Sequence, residues 1–176
     1  MADRRKKAAG HAIALLGLAW SLSVLAAGCR YSFTGGSVPP HLKTIAIPII
    51  QDQSGFGDPR LKDQLTDQLV SLFRGDNTLQ LADRANADAV LDAVVTRVSD
   101  DPLVVNPGEL VSERRITVAV HVTLTDQKQR RKMWEKDFNQ WGDYPSGGGP
   151  TQRDAGIQEA VKKLTEDILN ETVAGW

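Results

Sequence analysis

The sequence predicts an α+β fold, a single two-layer domain in which a mixed β-sheet carries two α-helices on one face. Three patterns lead there. Leu61, Leu65, Leu69, Leu72 and Phe73 recur at helical spacing. Ile157, Val161, Leu164 and Ile168 do the same near the other end of the chain. Between them Ile116, Val118, Val120, Val122 and Leu124 alternate with Thr117, Ala119, His121, Thr123 and Thr125, the period of a half-buried strand. Two one-sided helices need a surface to cover, and one face of a sheet serves both stripes.

The chain opens on a segment expected to be removed. Arg4-Arg5-Lys6-Lys7 precede an apolar run from Ala12 to Ala27, which closes as Leu25-Ala26-Ala27-Gly28-Cys29. Basic residues, an apolar stretch, small residues and a cysteine make a secretory signal ending in a lipoprotein cleavage site. Small side chains let a peptidase reach the backbone, and the thiol takes a diacylglycerol. A run of that length, with Ser21 and Ser23 inside it, is short for a membrane span of about 20 residues. A simple cleaved signal with an incidental cysteine is the plainer alternative, and Ala26 stands where such sites most often carry Leu. Lys6-Lys7 follow the arginine pair where a twin-arginine signal wants apolar residues, so the signal reads as an ordinary secretory one. Arg30, rather than Asp, follows the cysteine, which makes the outer membrane of a Gram-negative cell the expected address. At about 0.8 kcal/mol per buried methylene, two or three acyl chains on Cys29 anchor a protein stably.

Removal of residues 1–28 from the 176 leaves 148, one domain's worth. Such a chain buries roughly 68% of its unfolded surface, enough for a core of its own. Four basic residues and Asp3 leave with the signal, taking the formal net charge from −1 to −4. A nucleic-acid binder would be basic instead. Cys29 is the only cysteine, so no internal disulfide forms and packing alone must hold the fold.

Residues 29–43 read as a lipidated tether, punctuated by Gly35-Gly36 and Pro39-Pro40, and residues 44–176 as the folded domain. Thr44 to Ile50 is the first strand. Pro48 cannot donate to a ladder, which predicts a sheet edge or a strand end there. The loop from Gln51 to Gly57 leads to Asp58-Pro59, a cap followed by a first-turn proline. Gly75-Asp76-Asn77 stops the first helix. Leu79 to Leu81 is a short strand, and Ala87 to Val98 a longer one with apolar residues on both parities, as central strands have.

After a loop from Ser99 to Val111 comes the alternating strand. A polar turn at Asp126 to Arg131 sends the chain back through Met133 to Trp141, making a hairpin. Pro145 to Pro150 is a flexible break before the last helix, whose stripe is widened by Ala160, Leu169, Val173 and Trp176. No internal repeat is present.

Little in this order carries chemistry. His41 and His121 stand eighty positions apart with no ligand partner at metal spacing, so no metal site is expected. His121 falls on the polar parity of its strand, where a hydrogen-bonded histidine is the ordinary occupant. No serine sits in a Gly-x-Ser-x-Gly turn, and Gly147-Gly148-Gly149 lacks the Lys-Ser/Thr of a phosphate loop. The chain is therefore read as a non-enzyme without a cofactor.

Two features point to binding. Lys128, Arg130, Arg131 and Lys132 put four positive charges at a hairpin tip of an acidic protein. A solvated turn that discourages edge pairing explains them, and so does contact with phosphate groups, which the planar guanidinium fork suits. Trp134, Phe138, Trp141 and Tyr144 cluster on the return strand. Trp134 and Phe138 fit a core, whereas Trp141 has the opposite parity and is the candidate partner-facing residue.

Taken together, these stretches resemble the LptE type of lipopolysaccharide-assembly lipoprotein. The resemblance runs through Cys29-Arg-Tyr-Ser-Phe-Thr-Gly, Lys43-Thr-Ile-Ala-Ile-Pro, Ala87-Asp-Ala-Val-Leu, Arg115-Ile-Thr-Val-Ala-Val, Lys132-Met-Trp-Glu with Asp143-Tyr144, and the closing Val173-Ala-Gly-Trp176. It implies two helices on a mixed four-stranded sheet, in a protein that plugs the lumen of the LptD β-barrel translocon and helps it assemble. It also implies binding of lipopolysaccharide in transit. Lipid A phosphates suit the hairpin-tip cations, an assignment that rests on this chain's charges alone. A second family, the curli-secretion and penicillin-binding-protein-activator lipoproteins, shares the strand, helix and hairpin order. It implies a secretion-pore component or an activator of a peptidoglycan synthase.

Overall fold

A computed structural model describes residues 38–103 and 112–175, which form a mixed sheet with two helices on one face. Cys29, most of the tether and Trp176 lie outside the described residues. Chain order is β1 (Thr44–Ala46), β2 (Gln51–Asp52), α1 (Arg60–Asp76), β3 (Gln80–Leu81), β4 (Ala89–Pro102), β5 (Glu113–Asp126), β6 (Arg131–Pro145) and α2 (Gly149–Ala174). The strands lie in the order β3-β1-β4-β5-β6. β1 is parallel to both its neighbours, and β4, β5 and β6 form an antiparallel meander.

Six strands stand where the resemblance implied four. Pro48 supplies part of the reason. β1 and β2 both pair with β4, at Ala89–Val90 and at Val94–Val95, so they are two stretches of one path interrupted around the proline. Pro48 thus marks a strand end, not an edge, because β1 is flanked on both sides. Ile49 is pushed out to 69% exposure, and the Ile50 N–H, lost to the ladder, donates to Thr66 Oγ1 of α1 at 3.0 Å. The remaining addition is β3, a two-residue strand beyond β1.

Both helices form where the apolar stripes lie. Leu61, Leu65, Leu69 and Phe73 are buried on α1, which starts one residue after Pro59 and ends at Asn77 in the left-handed conformation. The Asp58 carboxylate accepts the Arg60 N–H at 3.0 Å, satisfying one otherwise unpaired first-turn donor. α2 buries Ile157, Ala160, Val161, Leu164 and Ile168 against the same face of the sheet. It packs close to β6 because Gly142 and Gly156 meet: a Cβ on Gly142 would lie 2.0 Å from the Gly156 carbonyl oxygen. Leu42, ahead of the first strand, is also buried in this core.

The other face of the three long strands is polar. Its threonines, His121 and the paired charges of β6 belong to it, and its apolar cluster is limited to Ala46, Ala87 and Val90 with Ala82 against them. A bulge between Val95 and Arg97 returns Val98 to the helix-covered face; with Val90 on the opposite face, it makes β4 read as apolar on both parities.

Candidate functional site

The β5–β6 turn is held by two carboxylates. Asp126, fully buried, accepts the Gln129 N–H at 2.8 Å and pairs with His41 Nε2 at 2.6 Å. Asp88 accepts the N–H groups of Lys43 and Thr44 and pairs with Lys128 Nζ at 2.8 Å. Burial would raise the Asp88 pKa, but the Lys128 ammonium and the two N–H groups outweigh it and hold it at about 2. Asp126 is likewise lowered against its burial, by the Gln129 N–H and by His41. Lys128 also donates to the His41 carbonyl at 2.8 Å. A turn of charged residues is in this way tied to the start of the domain and to the loop before β4.

These ties sort the four predicted cations. Lys128 is turned back onto Asp88, and Lys132 is paired with Glu135 on β6. Arg130, in the left-handed conformation, and Arg131 form no ion pair or side-chain hydrogen bond among the described residues. Arg130 borders a polar depression of about 460 Å3 that also takes in Arg84, Asp92 and Asp126. Arg84 was not singled out from sequence: it sits in an aperiodic loop, and its guanidinium's pairing with Asp92 at 2.9 Å and its carbonyl's bond from Gln127 Nε2 at 3.1 Å bring it to the turn.

Trp141 lies elsewhere. Ten residues of strand separate it from Arg131, about 34 Å at 3.4 Å per residue, so the two do not share a site. It is 39% exposed, as its parity predicts, with the Arg115 guanidinium 5.0 Å and the Lys163 ammonium 5.6 Å from its ring. Trp134 and Phe138 pack edge to face on the helix-covered side, with centroids 6.2 Å apart.

His121 bridges Asp137 through Nδ1 at 2.7 Å and Glu135 through Nε2 at 2.9 Å, and these carboxylates raise its pKa. At the far end of the meander, the Asp100 carboxylate accepts the Tyr144 hydroxyl at 2.7 Å, Arg114 Nε at 2.9 Å and Arg153 Nε at 3.1 Å. Among the described residues no group of three His, Cys, Asp or Glu side chains is placed to hold a metal ion. No described helix is long and apolar enough to cross a membrane.

These groups sit on a two-layer α+β frame, and solved structures share the frame. A DUF330 protein of Xanthomonas campestris is 15% identical, covering 78% of this chain and 90% of that one, with a TM-score of 0.58. The PelC dodecamer of Paraburkholderia phytofirmans is 16% identical over 79% and 95%, at 0.55. A minor lipoprotein of Acinetobacter baumannii is 18% identical over 77% and 95%, at 0.52. Identities this low show the fold alone. No curated protein matches by sequence. The chain belongs to the LptE family of lipopolysaccharide-assembly proteins, which matches residues 42–172. Its class is thereby a lipoprotein family of assembly factors, and the resemblance seen in the sequence is the right one of the two.

Proposed function

We propose that this chain is the lipid-anchored subunit of a lipopolysaccharide translocon, acylated on Cys29 and held at the outer membrane facing the periplasm or the barrel lumen. In this reading it plugs and helps assemble an LptD-type β-barrel protein, and it assists lipopolysaccharide on its way to the cell surface without catalysing a reaction. Family membership over residues 42–172 carries the reading. The hairpin tip supplies the lipopolysaccharide contact: Arg130 and Arg131 meet lipid A phosphates, and Lys128 and Lys132 add positive potential beside them. What supports this is the division of labour at the turn, where Asp88 and Asp126 fix the backbone and leave both guanidinium groups unpaired among the described residues.

Two experiments test it. Arg130→Ala with Arg131→Ala should weaken lipopolysaccharide binding about tenfold, the loss expected for charge-assisted contacts worth ~1.4 kcal/mol or more. Unaltered affinity would remove the tip from the binding site. Tagged protein purified from outer membranes in mild detergent should bring one large β-barrel protein in equal amount. Recovery of a peptidoglycan synthase or a secretion pore instead would overturn the translocon reading.

A further inference from the structure

The free edge of the sheet presents main-chain groups whose use is independent of the lipid reading. Among the described residues β6 pairs with β5 alone, in unbroken register from Trp134 to Pro145. In an antiparallel ladder the N–H and C=O of successive residues point alternately to the two sides. The Ser146 N–H bonds the Ser112 carbonyl, which assigns the even-numbered residues to β5. From the opposite side, Lys163 Nζ reaches the Trp141 carbonyl at 3.1 Å. Glu135, Asp137 and Asn139 therefore turn their main-chain groups to the open edge.

Alongside that stretch runs a groove of about 500 Å3 between β6 and the C-terminal half of α2, lined by Phe138, Asp167, Glu171 and Ala174 among others. Glu171 is neutralised by Lys136 at 2.7 Å. Asp137 and Asp167 have no lysine or arginine partner among the described residues, their bonds going to His121 and Gln140. Main-chain donors and acceptors in a row recognise an extended strand, and Asp167 together with Asp137, which is shared with His121 but 79% exposed, selects basic side chains on it. A second copy fits less well, because antiparallel pairing centred on the free stretch would set Asp137 against Asp137. We infer that β6 and this groove take up an extended, lysine- or arginine-bearing segment of a partner polypeptide by strand addition. Lys163, closing the Trp141 carbonyl, limits the free stretch and guards the rest of the edge against indiscriminate pairing.

The probe is a capped seven-residue peptide alternating lysine and valine, with a glutamate-for-lysine peptide as its counterpart. Binding of the lysine peptide should slow amide exchange at Asp137 and Asn139. Asn139→Pro deletes an N–H that β5 does not use, so it should leave the melting temperature nearly unchanged and weaken the peptide about tenfold. Asp137→Lys should reverse the preference between the two peptides. Peptide binding that survives Asn139→Pro unchanged, or no slowing at those amides at saturating peptide, would overturn the inference. So would self-association of the protein that Asn139→Pro abolishes, which would make the occupant a second copy.

Discussion

The two ends of the β4–β5–β6 meander use the same residue types to opposite effect. At the open end, Asp100 collects the Tyr144 hydroxyl and the guanidinium groups of Arg114 and Arg153, drawing in three strands and α2. Arg153 also stacks over Phe56 at 4.6 Å, so the loop before α1 is included. Every cation there is engaged. At the hairpin tip, Asp88 and Asp126 each give one oxygen to main-chain N–H groups and the other to a single side chain, and two arginines are left over. An aspartate that receives side chains closes a structure, whereas one that receives backbone shapes a turn and leaves its neighbours available. The difference is why the tip, and not the knot around Asp100, is the better candidate for an anionic ligand.

Substitutions at each end sharpen this contrast. The largest effect belongs to Asp100→Ala, which leaves a tyrosine hydroxyl and two guanidinium groups without their shared acceptor. It should cost about 2–3 kcal/mol in urea unfolding, discounted for the exposure of the arginines. Asp88→Asn should cost about 2 kcal/mol, from a carboxyl held at about 2 against an ordinary 3.8. The sign follows from a lowered pKa: this contribution is complete above pH 4 and is lost as the pH falls through 3.8 towards 2. Asp88→Asn should therefore flatten the acid limb of the stability curve. A variant as acid-sensitive as the parent would mean that the tip is not held through Asp88. The smallest effect is that of the Arg130→Ala, Arg131→Ala pair on stability, within about 0.5 kcal/mol, because neither side chain is paired. A larger loss would place those arginines in the frame and erase the contrast.

Both helices and the β5–β6 hairpin were legible from the sequence because their periodicity is complete within one segment. Leu61 to Phe73 and Ile157 to Ile168 repeat every three or four residues, and β5 alternates without a break. The ends of β4 and β6 were not. β4 runs on to Pro102 through a bulge at Thr96 that shifts its parity. The helix-covered face of β6 includes Lys136 and Gln140, whose partners, Glu171 and Asp167, lie on α2. Nothing near those residues in sequence shows that they have acceptors there. Pro48 announced an interruption, yet β1 resumes as β2 because β4 continues to offer its edge beyond the gap.

At the candidate site the sequence showed the charges and not their states. Local chemistry placed Lys128, Arg130, Arg131 and Lys132 at a turn and Trp141 on the outward parity. Which cations are engaged was settled by Asp88, forty residues before Lys128, and by the His41 carbonyl, 87 positions away. The same holds for the family: diffuse strand motifs spread over the whole domain carried the likeness, while the open edge of β6 depends on strand order. What one segment's periodicity encodes is determined by sequence alone. Which edge stays open and which arginine stays unpaired belong to the tertiary structure, because they depend on groups that only the folded chain brings within hydrogen-bonding distance.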